Sequence, residues 1–250
     1  MKMLRHFGLI GYPLSHSQSA KYFTEKFERE GILDTEFNLY PLEKIEDILD
    51  LREKIAGLRG LNVTIPYKTA VMKFLDEIDE GAESVGAVNT ILFQNGFSKG
   101  YNTDVFGLEQ SLLNVFSPVK DKGALILGTG GASKAAAYVM KKWNLDYQFV
   151  SRKPSAGNEI HYSDLTEDLL NNKQLIIQTT PLGMKPNIET CPPIPFEYLN
   201  EQHFLFDMVY NPEKTIFLSL GMERGCKGMN GQIMFQLQAE KAWSIWNQKT

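Results

Sequence analysis

Cysteine is scarce. Only Cys191 and Cys226 occur in 250 residues, and with no histidine cluster beside them they make neither a disulfide framework nor a zinc site. Both are expected to be ordinary reduced thiols, and no metal is expected. No apolar run approaches the ~18 residues that a helix needs to span a bilayer. The N-terminal apolar run, Phe7 to Ile10, is too short for a secretory signal and follows Arg5 and His6. No block of like charge stands out in a chain of net charge −4, so the basic stripe of a nucleic-acid binder is missing. Internal repeats and low-complexity segments are also missing. These absences argue against a disulfide-stapled secreted module, a membrane-spanning protein and a nucleic-acid binder. They leave a cytoplasmic globular protein, monomer or homodimer, whose partner is a small molecule.

What is present is core material. Hydrophobic residues make up 43% of the chain, enough for one or two domains at this length. The most informative stretch is Gly123 to Trp143. It opens with an apolar run, Ala124 to Leu127, of the kind buried on both faces in a parallel sheet. Gly128, Gly130 and Gly131 follow. Apolar residues then recur at Ala132, Ala135, Ala136, Val139, Met140 and Trp143, along one face of a helix. Strand, glycine turn and helix form the phosphate-binding start of a dinucleotide fold, where backbone N–H groups and the helix dipole meet an anion. Ser133 stands where the third glycine of that pattern would be. A glycine turn alone is weak, since such turns join many strands to helices.

In chain order, the pattern predicts a strand over Met3 to Gly11, a helix over Gln18 to Glu30 stopped by Gly31, and a strand over Thr35 to Leu39. A helix over Leu42 to Leu51, a strand over Gly60 to Ile65 closed by Pro66, and a helix over Tyr67 to Leu75 follow. Asn95-Gly96 between Val88–Phe93 and Phe97–Tyr101 predicts a hairpin. Thr103 is placed to cap a helix reaching toward Phe116. Beyond the glycine turn come strands at Asp146 to Val150, Gln174 to Thr179 and His203 to Val209. Helices are expected at Glu213 to Glu223 and Gly231 to Trp246, and the proline cluster at 191–195 reads as a loop. The fold class is α/β.

Polar residues collect where strands end. Asn62, Thr64 and Lys68 close the third strand. Lys68 is either a solvated lysine, the common case, or a general acid–base tuned by its place at the start of a helix. Asp104 sits at the mouth of a helix, where a carboxylate is favourable with the dipole alone, and where it could also hold a substrate hydroxyl and pair with Lys68. Ser17 and Ser19 are candidates for capping the first helix or for binding a carboxylate. Asn89 has no compelling reading of its own. Gln238 interrupts the apolar helix face of Met234, Ala242 and Ile245, and a buried polar group needs a partner. After the second strand of the glycine unit, Arg152 and Lys153 occupy the place where NAD-binding folds put an acidic residue. Cations there suit the 2′-phosphate of NADP.

Six short motifs taken together resemble the shikimate dehydrogenase (shikimate/quinate dehydrogenase) family over nearly the whole chain. They are Gly11-Tyr-Pro-Leu-Ser-His-Ser-Gln-Ser19, Asn62-Val-Thr-Ile-Pro-Tyr-Lys68, Gly86-Ala-Val-Asn-Thr90, Gly100-Tyr-Asn-Thr-Asp-Val-Phe-Gly107, Asp207-Met-Val-Tyr210 and Asn230-Gly231 through Gln238. The resemblance implies NADP-dependent, reversible reduction of 3-dehydroshikimate to shikimate in aromatic amino acid (chorismate) biosynthesis. It implies Lys68 and Asp104 as the catalytic pair, and Ser17, Ser19, Thr64, Asn89, Tyr210 and Gln238 as the substrate pocket. Gly128, Thr129, Gly130, Gly131, Ala132, Ser133, Ser151, Arg152, Thr180, Met208 and Gly231 would contact the cofactor.

The implied architecture is an N-terminal α/β substrate domain, residues 1–103 with 230–250, and a Rossmann-like NADP-binding domain, residues 104–229, with the C-terminal helix returning to the substrate domain. Three positions depart from the family pattern. Ser151-Arg-Lys153 stands for N-R-T, Gln178-Thr-Thr-Pro181 for N-A-T-P, and Ile233 for a glycine. The alternatives are an NAD-linked quinate/shikimate dehydrogenase and a non-catalytic shikimate-binding sensor on the same fold. Retention of both Lys68 and Asp104 argues against the sensor.

Overall fold

The apolar run at Ala124–Leu127 forms the middle of a sheet whose strands bury both faces. In the computed structural model, which describes residues 4–14, 17–155 and 157–248, alternate residues of each central strand enter opposite cores. Ala124, Ile126, Leu175, Ile177, Phe204 and Phe206 share one cluster, while Leu125, Leu127, Ile176 and Leu205 share another. That is the period-two consequence of a strand covered on both sides.

The elements are β1 (Arg5–Gly11), α1 (Ser19–Glu30), β2 (Thr35–Pro41), α2 (Ile48–Lys54), β3 (Leu58–Val63), β4 (Glu77–Ile78), α3 (Glu80–Val85), β5 (Thr90–Gln94), β6 (Phe97–Tyr101) and α4 (Asp104–Leu113). There follow β7 (Gly123–Leu127), α5 (Gly131–Lys142), β8 (Tyr147–Ser151), β9 (Glu159–His161), α6 (Glu167–Asn171), β10 (Lys173–Gln178), β11 (Phe204–Asp207), α7 (Ile216–Glu223), β12 (Lys227–Asn230) and α8 (Gln232–Trp246). The chain divides into two compact units, Met1–Thr103 with Ala239–Thr250, and Asp104–Gln238. Residues 230–238, assigned from sequence to the returning segment, therefore group with the second unit. No helix among the described residues is long and apolar enough to cross a membrane.

The first unit is a mixed sheet in the order β2-β1-β3-β5-β6-β4. β1 runs parallel to β2 and β3, and β5 runs antiparallel to β3 and β6. Asn95 and Gly96 both have positive φ, 52° and 82°, at the expected hairpin turn. Gly31 ends α1 in the left-handed region, φ 65°. One face of the sheet packs Phe7, Phe23, Phe27 and Phe37 against Ala239, Ala242, Ile245 and Trp246. The Trp246 indole N–H donates to the Ile91 carbonyl at 2.9 Å. It lies flat over β3 because Gly60 has no side chain: a Cβ there would stand 2.2 Å from the indole nitrogen.

The second unit is wholly parallel, in the order β12-β11-β10-β7-β8-β9. Counted from β7, this is the 3-2-1-4-5-6 order of the dinucleotide-binding fold, and its switch point falls between β7 and β10.

Several expected elements differ. The helix expected over Tyr67 to Leu75 is a 3-10 segment over Ala70–Phe74. The helix expected from Leu42 is a 3-10 turn at Ile45–Asp47 running into α2. β3 ends at Val63, so Thr64 and Ile65 lie beyond it. β4, α3, β9, α6 and β12 carry too few residues to show a period.

Candidate active site

In the first unit, four of the six motifs meet at one edge of the sheet, where β1 and β3 end, β5 begins and β6 ends. Backbone hydrogen bonds bind them together. Thr64 N–H donates to Ile10 C=O at 2.9 Å, Tyr12 N–H to Ile65 C=O at 3.1 Å, and Val63 N–H to Asn89 C=O at 2.8 Å. Val88 N–H donates to the Lys68 carbonyl at 2.7 Å, and Asn89 N–H to Tyr101 C=O at 3.0 Å. Gly11 leaves room for Thr64, whose methyl would lie 2.4 Å from a Cβ at position 11. Thr64 and Lys68 are both half-buried.

Lys68 lies in a turn, ahead of the 3-10 segment. The expectation that a helix dipole acts on it is corrected, because a short irregular turn has no aligned column of peptides to sum.

Asn89 is almost wholly buried and belongs to an internal network. Its Oδ1 accepts Thr103 N–H at 2.7 Å and the Thr90 hydroxyl at 3.1 Å, and its Nδ2 donates to Thr103 Oγ1 at 3.0 Å. Asn62 donates to Thr90 Oγ1 at 3.2 Å. Ser17 Oγ accepts Ser19 N–H at 3.2 Å, while Gln18 caps α1 without a side-chain bond. Ser17 thus carries out part of the capping expected of it. Ser15 and His16 of the first motif lie outside the described residues.

In the second unit, Asp104 is the first residue of α4 and is buried. One turn on, Gly107 lets α8 approach: a Cβ there would lie 2.7 Å from Met234 O and 3.1 Å from Gln238 Cβ. Gln238 is half-buried and donates to Phe235 C=O at 2.9 Å. Tyr210 stacks on Phe235 with ring centroids 4.8 Å apart, and burial pushes its phenol up to about 12. Asp104, Gln238 and Tyr210 are therefore connected through two helices of one unit.

The glycine turn follows β7. Gly128 has φ 111°, and a Cβ there would meet Thr179 Oγ1 at 2.9 Å. Gly130 precedes α5, and no side-chain bond caps that helix. A Cβ at 130 would meet nothing within 4 Å. Ser133 is fully buried, and its hydroxyl donates back to Gly130 C=O at 2.6 Å. Serine replaces the third glycine because its short side chain folds onto the turn. Thr129 and Gly130 are exposed, and Gly131 and Ala132 half-buried. Arg152 and Lys153 stand exposed past β8, and Ser151 Oγ accepts Lys153 N–H at 3.2 Å. Uncapped N–H donors on a long helix, an open turn and two cations fit an anionic dinucleotide that carries an extra phosphate.

Further along this edge, Met208 N–H donates to Gln178 C=O at 3.0 Å. Gly231 must be glycine, since a Cβ would lie 2.4 Å from Met208 O. Thr180 donates its N–H and its hydroxyl to Gln178 Oε1, at 2.6 and 2.8 Å. Gln178, in place of the family's asparagine, reaches on to Leu182 C=O at 2.9 Å. Ile233, where the family has glycine, faces solvent. Asp207 is fully buried. Burial pushes its carboxyl up to about 6, against the opposing pull of hydrogen bonds from Thr215 and Val209. Gln178, Asp207 and Asn230 were not singled out as site residues from sequence. The available signal was a polar residue closing an apolar strand.

A mixed α/β unit and a parallel unit of dinucleotide-binding order, the latter with its glycine turn at the first strand, define a two-unit protein of the dehydrogenase class. Residues 9–91 match the family model of the shikimate dehydrogenase substrate binding domain. A shikimate dehydrogenase (NADP(+)) of Methanococcus aeolicus is 34% identical over 96% of this chain and 90% of its own length. One of Methanocaldococcus jannaschii is 36% identical, over 96% of this chain and 90% of its own. The crystal structure of a Thermus thermophilus shikimate 5-dehydrogenase in complex with NADP(H) and shikimate superposes with a TM-score of 0.84 at 28% identity, covering 98% of this chain and 94% of that one. The chain belongs to the shikimate dehydrogenase family.

Proposed function

We propose that this protein is an NADP-dependent shikimate dehydrogenase that reversibly reduces 3-dehydroshikimate to shikimate in chorismate biosynthesis, acting in the cytoplasm. The observation that carries this reading is the convergence of Thr64, Lys68 and Asn89 on one sheet edge in a chain that also holds an uncapped glycine turn. Gly128–Ser133 and Ser151 would hold the cofactor's phosphates and ribose, with Arg152 at the 2′-phosphate. Met208, Thr180 and Gly231 would border the nicotinamide. The cofactor, when bound, supplies the hydride.

The remaining work is positioning and proton traffic. Lys68 gives its proton to the substrate oxygen and stabilises the charge that develops there. Asp104 holds the neighbouring hydroxyl. Ser17, Ser19, Thr64, Asn89, Tyr210 and Gln238 orient the ring and its carboxylate. The exposed Arg152 and Lys153 favour NADP over NAD, against the quinate-linked alternative.

The test follows the absorbance of reduced nicotinamide with shikimate or quinate and with NADP or NAD. Turnover of shikimate with NADP at the highest kcat/KM is expected. A preference for quinate with NAD, or binding of shikimate without turnover, overturns the reading.

A further inference from the structure

Four strands of the second unit end in the same way. Each closes on a polar side chain that accepts the N–H two residues further on. Ser151 Oγ takes Lys153 N–H at 3.2 Å, Gln178 Oε1 takes Thr180 N–H at 2.6 Å, Asp207 Oδ1 takes Val209 N–H at 2.9 Å, and Asn230 Oδ1 takes Gln232 N–H at 3.0 Å. Gln178, Asp207 and Asn230 are direct register partners, one row across β10, β11 and β12. Asp207 differs from the others. It is the only carboxylate of the row, and its second oxygen accepts the Thr215 hydroxyl at 2.5 Å, the length of a charge-assisted O–H···O⁻ bond. Thr215 in turn caps α7 through Leu218 N–H at 3.3 Å.

We propose that Asp207 is a positioning residue whose carboxylate holds the loop after β11 at Val209 and at Thr215 and so sets how Met208 meets the cofactor. The proposal rests on the reading of Met208 as a cofactor contact given above.

Beyond β11 the segment keeps two backbone bonds to its neighbours, Met208 N–H to Gln178 C=O at 3.0 Å and Gly231 N–H to Val209 C=O at 3.4 Å. The Val209 N–H lies between Met208 and Tyr210, so the bond to Oδ1 fixes the peptide that aims both side chains. Thr215 stands where the irregular loop enters α7, so the bond to Oδ2 fixes the far end of that loop. On the third side, Gly231 allows the Met208 carbonyl to sit within 2.4 Å of where a Cβ would be. A backbone held from these directions fixes the direction in which the Met208 side chain leaves the main chain. An aspartate retained only for stability would need none of this convergence on one dipeptide.

The experiment uses the full chain with Asp207→Asn, Thr215→Val, Thr215→Ser and Met208→Ala. NADPH dissociation constants come from fluorescence titration, and kcat, KM and thermal midpoints are measured beside them. Loss of a hydrogen bond to a charged group corresponds to about tenfold or more in a binding constant. Asp207→Asn and Thr215→Val are expected to weaken NADPH binding about tenfold and to lower kcat, with Thr215→Ser restoring both. Should Asp207→Asn not fold, the Thr215 pair carries the same comparison. Variants that melt earlier but bind NADPH like the wild type well below their midpoints overturn the proposal. If Met208→Ala binds NADPH and turns over normally, the assignment of Met208 fails and the proposal falls with it. If Met208→Ala is impaired and Asp207→Asn is not, the positioning role alone fails.

Discussion

The side-chain oxygen of Asn89 accepts the backbone N–H of Thr103 at 2.7 Å, one residue before Asp104. The amide proposed to orient the substrate is thus also the tie that fixes the chain ahead of α4. Replacing Asn89 with alanine removes the acceptor for the buried Thr103 N–H, while the Thr90 hydroxyl keeps Thr103 Oγ1 at 3.3 Å. Buried groups left without partners cost about 1–3 kcal/mol each. Asn89→Ala is expected to lower the denaturant midpoint by that order and to raise KM for shikimate. A variant of unchanged stability would remove the structural half of this assignment.

Lys68→Ala is expected to lower kcat by about 10²–10⁴-fold, the usual worth of a positioned proton donor. The far-UV circular dichroism should stay as in the wild type, because the Lys68 backbone carbonyl, which holds Val88, is kept. Near-normal kcat would exclude Lys68 as the acid.

Arg152→Ala is expected to raise KM for NADPH by about 10–100-fold, the range for a lost charge-assisted contact. KM for NADH should change little, because the proposed contact is to the additional phosphate. Equal losses with both cofactors would show that Arg152 acts elsewhere.

Asp207 gives a stability term of defined sign. Its carboxyl is raised from 3.8 to about 6 in the folded protein, so the folded state holds the proton more tightly than the unfolded chain. Its contribution is full below the unfolded value and is lost as pH rises through the folded one. A displacement of about two pH units corresponds to roughly 3 kcal/mol. Denaturant unfolding from pH 4 to pH 7 should show wild-type stability declining, relative to Asp207→Asn, across this window. Parallel curves for the two proteins would exclude the titration.

Gly60→Ala places a methyl against the Trp246 indole, 2.2 Å from its nitrogen. Overpacking of this kind costs about 1–3 kcal/mol, and the indole bond to Ile91 C=O is lost as the ring moves. A lower thermal midpoint with unshifted NADPH binding is the expected pair of results.

Much of this was legible in the sequence because it is local. The apolar run at Ala124–Leu127 and the helical spacing from Ala132 to Trp143 are periodic. Gly31 and Asn95-Gly96 are turn residues that φ requires. Lys68 was misplaced onto a helix because a few apolar residues after Pro66 fit both an α-helix and a 3-10 turn. α3 carried its own signals, Asp79 capping Gly81 N–H and Gly86 at φ 68°, in a segment too short for a period. The roles of Gln178 and Asp207 are not local. A polar residue closing a strand looks the same whether it faces solvent or bonds the loop that follows, and only the parallel register puts the two in one row. The depth of Asn89 was hidden for the same reason, since its partner Thr103 meets it only through the hairpin.

The packing of Trp246, Ile245 and Ala242 against Phe7, Phe23 and Phe37 has a consequence for biosynthesis. The second unit is one uninterrupted segment, Asp104–Gln238, so all its strands and helices leave the ribosome together. The first unit is interrupted, and residues that complete its core are translated after the whole of the second. The indole bond to Ile91 spans 155 residues, a loop whose closure weighs on rate more than on stability. The order of synthesis therefore runs against the order of the fold. Chains halted before Ala239 are expected to protect the second unit from protease while the β1 strand is still cut.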